Sequence, residues 1–219
     1  MELLVNLLEI IAKGGWLMVP IFLCSVVAAA IIIERWIVLS KSKTNTRHLM
    51  MKIKSLMIKG DRNEAITLCE KTPGPAAKVL KKGLLRAHRE KDEIQGAIES
   101  AGKEEIFHLE RHMGVLATIA GIAPLIGFLG TVTGMIAAFM EIQRLEGSVN
   151  AAVLAGGIWQ ALITTAAGLI VGITTFIFYN YLVTRVQRFV FEIESSSNDL
   201  MDLLIEEKLT ENAYKREVL

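Results

Sequence analysis

Three long runs without a charged side chain constrain this chain more than any other feature. The runs Trp16–Ile33, Met113–Met140 and Ala151–Thr184 contain no Asp, Glu, Lys or Arg. A helix of about 20 apolar residues crosses the hydrocarbon core of a bilayer. Within that core the backbone must satisfy its own hydrogen bonds, so each run is predicted to be a helix. We therefore expect an all-α integral membrane protein with three transmembrane helices.

The charged residues lie between these runs and predict the orientation in the membrane. The chain is 52% hydrophobic and 21% charged, with a formal net charge of +1. Between Arg35 and Lys59 there are seven Lys or Arg and no acid, whereas Glu141–Asn150 has one base and two acids. Since basic loops stay in the cytoplasm, the segment after the first span is predicted to be cytoplasmic. The N-terminus is then predicted to lie outside and the C-terminus inside.

The periodicity of apolar residues predicts helices in the remaining segments too. Breaks are expected at Gly60–Asp61 and at the Thr72–Pro75 turn, and a helix starting near Asp92 is expected to continue into the second span. The predicted segments are an amphipathic interfacial helix (1–15), span one (16–39), a cytoplasmic helical insert (40–112), span two (113–142), a short loop on the outer side (143–151), span three (152–184) and a cytoplasmic C-terminal helix (185–219).

Small residues recur at threes and fours along the second and third spans. In lipid, helices associate through close backbone approach, so such stripes predict packing faces. Pro124 lies inside the second span and is expected to kink it. The glycines assigned to packing are Gly127, Gly130, Gly134, Gly168 and Gly172.

The second and third spans hold polar side chains but no acidic or basic one. Ion-coupled transporters usually place ionisable residues inside the membrane. Thr and Gln do not titrate near neutral pH. If this chain takes part in proton conduction, the titrating carboxylate must therefore belong to another chain.

Two ordered motifs carry a family resemblance. Ala123–Ile136 (APLIGFLGTVTGMI) and Gly157–Gly172 (GIWQALITTAAGLIVG), followed by Tyr179–Tyr181 (YNY), resemble the ExbB/TolQ/MotA proton-channel family, and ExbB within it. The resemblance implies a homopentamer in the bacterial inner membrane, with spans two and three around a central pore. It also implies a single-span ExbD-type partner, whose membrane aspartate carries protons, and a TonB-type protein that transmits the work to transport across the outer membrane.

The resemblance also assigns residues to the proton pathway. Thr131 and Thr165 match the pore threonines of the two motifs and are expected to face the partner's aspartate. Thr164 is added to this lining. Gln160 stands where many relatives carry a glutamate, which weakens any mechanism in which this chain itself takes up protons.

Other kinds of site have less support. His108 and His112 are spaced to share a helix face, but without further ligands we expect surface or interface histidines and no metal site. No cofactor, nucleic-acid partner or enzymatic activity is expected, because the sequence has no nucleophile elbow, phosphate loop or dinucleotide fingerprint. The alternatives are a TolQ-type subunit of the Tol-Pal envelope system, a non-conducting membrane scaffold, and an independent small-solute carrier.

Overall fold

The structure is a computed structural model that describes residues 14–144 and 151–218. Both described ranges are helical, without a strand, as the sequence predicts. The predicted interfacial helix lies outside the described residues except for Gly14 and Gly15. The helices are α1 (Met18–Lys41), α2 (Thr46–Ile58), α3 (Arg62–Lys71), α4 (Pro75–Leu85), α5 (Lys91–Glu110), α6 (Met113–Arg144) and α7 (Ala151–Val218).

Three stretches of helix are long and apolar enough to cross a membrane. They include α1, α6 and the first part of α7. Helix α7 has 68 residues and runs without a break from the third apolar run into the polar C-terminal segment. The third span and the C-terminal helix are therefore one continuous element.

The chain divides into two compact units. The span unit combines Met1–Glu34 with His112–Tyr181, and the insert unit combines Arg35–Arg111 with Leu182–Leu219. Helices α1 and α7 each contribute to both units. Because the two motifs of the sequence lie within the span unit, that unit holds the candidate site.

The insert unit is a packed cluster of helices with an apolar core. Leu80 and Leu84 of α4 and Leu200 of α7 are buried there. A Cβ at Gly83 would lie 2.8 Å from the Leu200 side chain and 2.9 Å from that of Ile98. The glycine therefore permits α4 to approach both neighbouring helices closely.

The two predicted breaks in the insert coincide with glycines of positive φ. Gly60 has φ +83° between α2 and α3, and Gly74 has φ +114° directly before α4. Such backbone conformations are open to glycine at little cost. Pro75 then begins α4, where its missing amide hydrogen is not needed.

The expectation that the helix from Asp92 continues into the second span is wrong. Helix α5 ends at Glu110, and α6 begins at Met113. Between them His112 has φ +64°, a left-handed conformation that His adopts more readily than most residues. Since the helix ends before His112, His108 and His112 do not share one helix face.

Arg35 follows Glu34 at the end of the uncharged part of α1 and is buried, with 3% of its surface exposed. Its guanidinium donates a hydrogen bond to the carbonyl oxygen of His108 at 3.1 Å. That carbonyl lies in the last turn of α5, where carbonyl groups have no partner within the helix. Arg35 therefore stabilises the end of α5 within the insert unit.

Candidate functional site

The candidate site is the contact between α6 and α7 in the span unit, where the two backbones nearly touch. A Cβ at Gly127 would lie 3.1 Å from the Cα of Thr165. A Cβ at Gly168 would lie 2.6 Å from the carbonyl oxygen of Ala123 and 2.9 Å from the Cα of Gly127. A side chain at either position would push the helices apart, so the glycines allow this close approach.

Gly130, Gly134 and Gly172 extend the same contact. A Cβ at Gly134 would lie 3.0 Å from that of Ala161, and Gly130 faces the side chain of Thr164. All five glycines to which the sequence assigns packing are buried. The structure therefore places them along one helix–helix contact.

Pro124 packs against this contact from α6. Its ring faces Gly172, and α6 remains helical on both sides of the proline. Proline removes the amide hydrogen that would bond to the carbonyl of Ala120. A Cβ at Gly172 would lie 3.2 Å from that same carbonyl oxygen, so the carbonyl that Pro124 cannot bond faces the glycine of α7.

Thr165 connects the two helices through a hydrogen bond. Its hydroxyl donates to the carbonyl oxygen of Gly127 at 2.8 Å, while the side chain stays partly exposed. Its single hydroxyl hydrogen is occupied, but the oxygen keeps lone pairs that can accept a further hydrogen bond. Thr165 can therefore serve both helix packing and a group outside the chain.

Thr131 is also partly exposed, but its hydrogen bond stays within α6. Its hydroxyl donates to the carbonyl oxygen of Phe128 at 2.6 Å. Like Thr165, it presents an oxygen whose remaining lone pairs can accept a hydrogen bond. In both residues the side chain is partly exposed, and the hydroxyl hydrogen already has a hydrogen-bond acceptor.

Thr164 lies in a different environment, and its burial argues against the pore-lining position assigned to it from the sequence. Only 1% of its surface is exposed. Its hydroxyl oxygen is 2.9 Å from the carbonyl oxygen of Gly14 and 2.9 Å from that of Gln160. Thr164 therefore ties the segment before α1 to α7 from inside the unit.

Gln160 lies one turn before Thr164 and is partly exposed. Its side chain packs directly against the backbone of Gly15, which has φ +75°. A residue with a Cβ would both clash with the amide and be strained at this φ. The sequence did not predict this contact, although the Gly14–Gly15 pair is the kind of signal that marks a close approach.

The site contains no group that could exchange protons near neutral pH by itself. The uncharged runs of α6 and α7 contain no Asp, Glu, Lys or Arg, and they contain no His either. Among the described residues no group of three potential metal ligands is found. The surface around Thr131 carries large exposed apolar side chains, among them Phe128, Val132 and Met135.

The comparisons with known proteins match the region that forms this site. The family described as the MotA/TolQ/ExbB proton channel family matches residues 71–195, which include all of α6 and the first part of α7. This chain belongs to that family. Three apolar helices and this membership make it a multi-pass membrane protein.

Several curated relatives carry the name ExbB. An ExbB homologue from Methanothermobacter thermautotrophicus is 29% identical over 190 residues, covering 86% of this chain and 67% of the relative. ExbB-like protein 1 from Synechocystis is 32% identical over 182 residues, 82% of this chain and 71% of the relative. The biopolymer transport protein ExbB of Salmonella typhimurium is 35% identical over 127 residues, 52% of each chain.

Proposed function

We propose that this chain is the channel-scaffold subunit of an ExbB-type motor in the bacterial inner membrane. Together with an ExbD-type partner it would use proton-motive force to energise TonB-dependent transport across the outer membrane. In this proposal five copies surround a pore lined by α6 and α7, with the N-terminus periplasmic and the C-terminus cytoplasmic. Family membership and the ExbB names of the relatives support it.

The observation that carries the proposal is the pair of partly exposed hydroxyls at Thr131 and Thr165, which lie in the acid-free runs of α6 and α7. Each hydroxyl donates to a backbone carbonyl, so its oxygen is left as an acceptor. A protonated carboxyl group has one hydrogen to donate, whereas a carboxylate has none. The two threonines would therefore favour the protonated, neutral form of a partner's aspartate.

Deprotonation would weaken these contacts. A carboxylate needs donors, and either threonine would have to release its carbonyl oxygen to supply one. The charged acid would then leave this neutral surface, so each proton transfer would shift the partner relative to the helices. One charge that crosses the membrane yields about 2.3 kcal/mol per 100 mV, so a few protons suffice for a large step.

Thr164 and Gln160 have different roles in this scheme. Thr164 is buried and would hold α7 to the segment before α1. Gln160 is partly exposed and offers hydrogen bonds to the pore, but it cannot carry a proton as an acid.

The test replaces the hydroxyls while keeping the shape of the side chains. In cells that depend on this chain, Thr131→Val and Thr165→Val should each reduce TonB-dependent uptake. The loss of one hydrogen bond of about 1 kcal/mol corresponds to a roughly five- to tenfold reduction. Thr131→Ser and Thr165→Ser retain the hydroxyl and should support uptake close to that of the unaltered protein.

Native mass measurement of the purified complex separates conduction from packing. The proposal requires the valine variants to assemble with the unaltered stoichiometry. Full uptake in the Thr131→Val/Thr165→Val double variant would refute the pore assignment. Failed assembly together with lost uptake would instead support the non-conducting scaffold.

A further inference from the structure

A second polar site lies in the insert unit, whereas Thr131 and Thr165 belong to the span unit. Lys43, Arg47, Arg185 and Arg188 line one open pocket of about 660 Å³. Lys43 lies in the connection between α1 and α2, Arg47 lies in the first turn of α2, and the two other arginines lie on α7. Buried Phe189 also contributes to the lining of this pocket.

The charge of this pocket is strongly unbalanced. Its four cations face a single acid, Glu192. One carboxylate oxygen of Glu192 lies 3.2 Å from Nε of Arg188, and the other accepts a hydrogen bond from the hydroxyl of Thr46 at 3.1 Å. The acid is thus already engaged, and the positive charges of Lys43 and Arg47 are not balanced by an acid of the lining.

Lys43, Arg47 and Arg188 remain accessible despite that contact. The Arg188 side chain is 76% exposed, and its guanidinium has further N–H groups beyond the one near Glu192. Among the described residues neither Lys43 nor Arg47 has an ion-pair partner, and both are exposed. Such a cluster can bind an anion with several oxygen acceptors, as a phosphate group has.

The positive end of α2 adds to this preference. The helix begins at Thr46, and its first turn has no acidic residue. The side chain of Asn45 caps the helix by accepting from the amide of His48 at 3.1 Å. An anion near this end is favoured by the helix dipole.

The pocket lies where two membrane helices leave the apolar part of the chain. Lys43 follows the last residue of α1 by two positions, and Arg185 directly follows the uncharged run that ends at Thr184. Basic pockets at the ends of transmembrane helices bind anionic headgroups. Each Lys or Arg increases the affinity for the headgroup about fivefold.

We propose that this pocket binds the phosphate of an anionic phospholipid headgroup. The site belongs to the insert unit and does not depend on proton conduction. The chemistry that it recognises is a phosphate mono- or diester. Its position at the end of two membrane helices assigns that phosphate to lipid and not to a soluble anion.

The experiment measures phosphatidylglycerol retained by the full-length purified protein after delipidation and reconstitution into nanodiscs. Phosphatidylcholine serves as the reference lipid. Lys43→Gln/Arg47→Gln should lower the retained phosphatidylglycerol by roughly fivefold for each cation, about 25-fold for both. Lys52→Gln/Lys59→Gln is the matched control, because it removes the same charge from exposed positions outside the pocket.

A gain-of-binding variant keeps the test independent of folding defects. Glu192→Gln removes the pocket's acid and should raise phosphatidylglycerol retention. Equal loss in both double variants, or reduced retention in Glu192→Gln, would overturn the proposal. Displacement of the lipid by millimolar inorganic phosphate as effectively as by added phosphatidylglycerol would also overturn it, because the ligand would then be a soluble anion.

Discussion

Thr164 and Thr165 are neighbours in sequence but point about 100° apart around α7, because a helix turns by that angle per residue. Thr164 is buried against Gly130 and the carbonyl of Gly14. Thr165 reaches the carbonyl of Gly127 and remains partly exposed. The Thr165 hydroxyl can therefore contact another chain, whereas the Thr164 hydroxyl stabilises the fold of this one.

Arg35 offers a test of how the insert unit is held together. Arg35→Gln should lower the free energy of unfolding by about 2 kcal/mol, because a buried, charged hydrogen bond to the end of α5 is lost. The measurement is thermal denaturation of the detergent-solubilised protein, followed by circular dichroism. Arg86→Gln, at an exposed position, is the control and should leave the midpoint unchanged.

Cys69 provides a pH-dependent prediction. Burial raises the pKa of its thiol to about 11, although the nearby Lys81 lowers it in part. The thiolate is the reactive form, so at pH 8 iodoacetamide should modify Cys69 only after the protein is unfolded. Because the folded state holds the thiol proton more tightly, this residue's contribution to stability should fall as the pH rises from about 9 towards 11.

Peptide mapping after alkylation would check the Cys69 prediction. Rapid modification of Cys69 in the folded protein at pH 8 would contradict it. The rate of alkylation of Cys69 in denaturant, where the protein is unfolded, is the reference for an accessible thiol.

At the scale of helices, glycine spacing predicts which faces of α6 and α7 can approach each other. The sequence contains that information because a missing side chain has a direct geometric consequence. It did not reveal the break before α6, since the left-handed residue there is His112 and not the glycine that usually marks such a conformation. Nor did it reveal that Arg35 is buried, because its hydrogen-bond partner lies 73 positions away.

The contact between α6 and α7 is tested by adding a single methyl group. Gly168→Ala would place its Cβ 2.6 Å from the backbone oxygen of Ala123, so the helices must separate. Overpacking of this kind costs about 1–3 kcal/mol. The midpoint of thermal unfolding should fall accordingly.

The matched control for this change is Gly121→Ala in α6, where a Cβ would have nothing within 4 Å in the chain. A Gly168→Ala protein as stable as the control would show that the two backbones are not in contact. Gly130→Ala should also lower the midpoint, since its Cβ would lie 2.7 Å from that of Thr164, which is buried and cannot easily move aside.

For the whole molecule, the sequence predicted three spans and the all-α class, because long uncharged runs have few other solutions in a membrane. It also predicted helices between the first two spans. It could not predict how the chain divides into a span unit and an insert unit, which depends on contacts between distant segments. The number of copies and the identity of the partner depend on surfaces that meet other chains.

We propose that this chain provides a neutral hydroxyl surface and that the titrating acid comes from a partner. The most direct measurement is proton flux into liposomes that contain the purified chain, with a membrane potential imposed and a pH-sensitive dye inside. The chain alone should give a flux equal to that of protein-free liposomes, and the flux should increase when a single-span partner with a membrane aspartate is reconstituted with the chain. Rapid proton flux through the chain alone would contradict it.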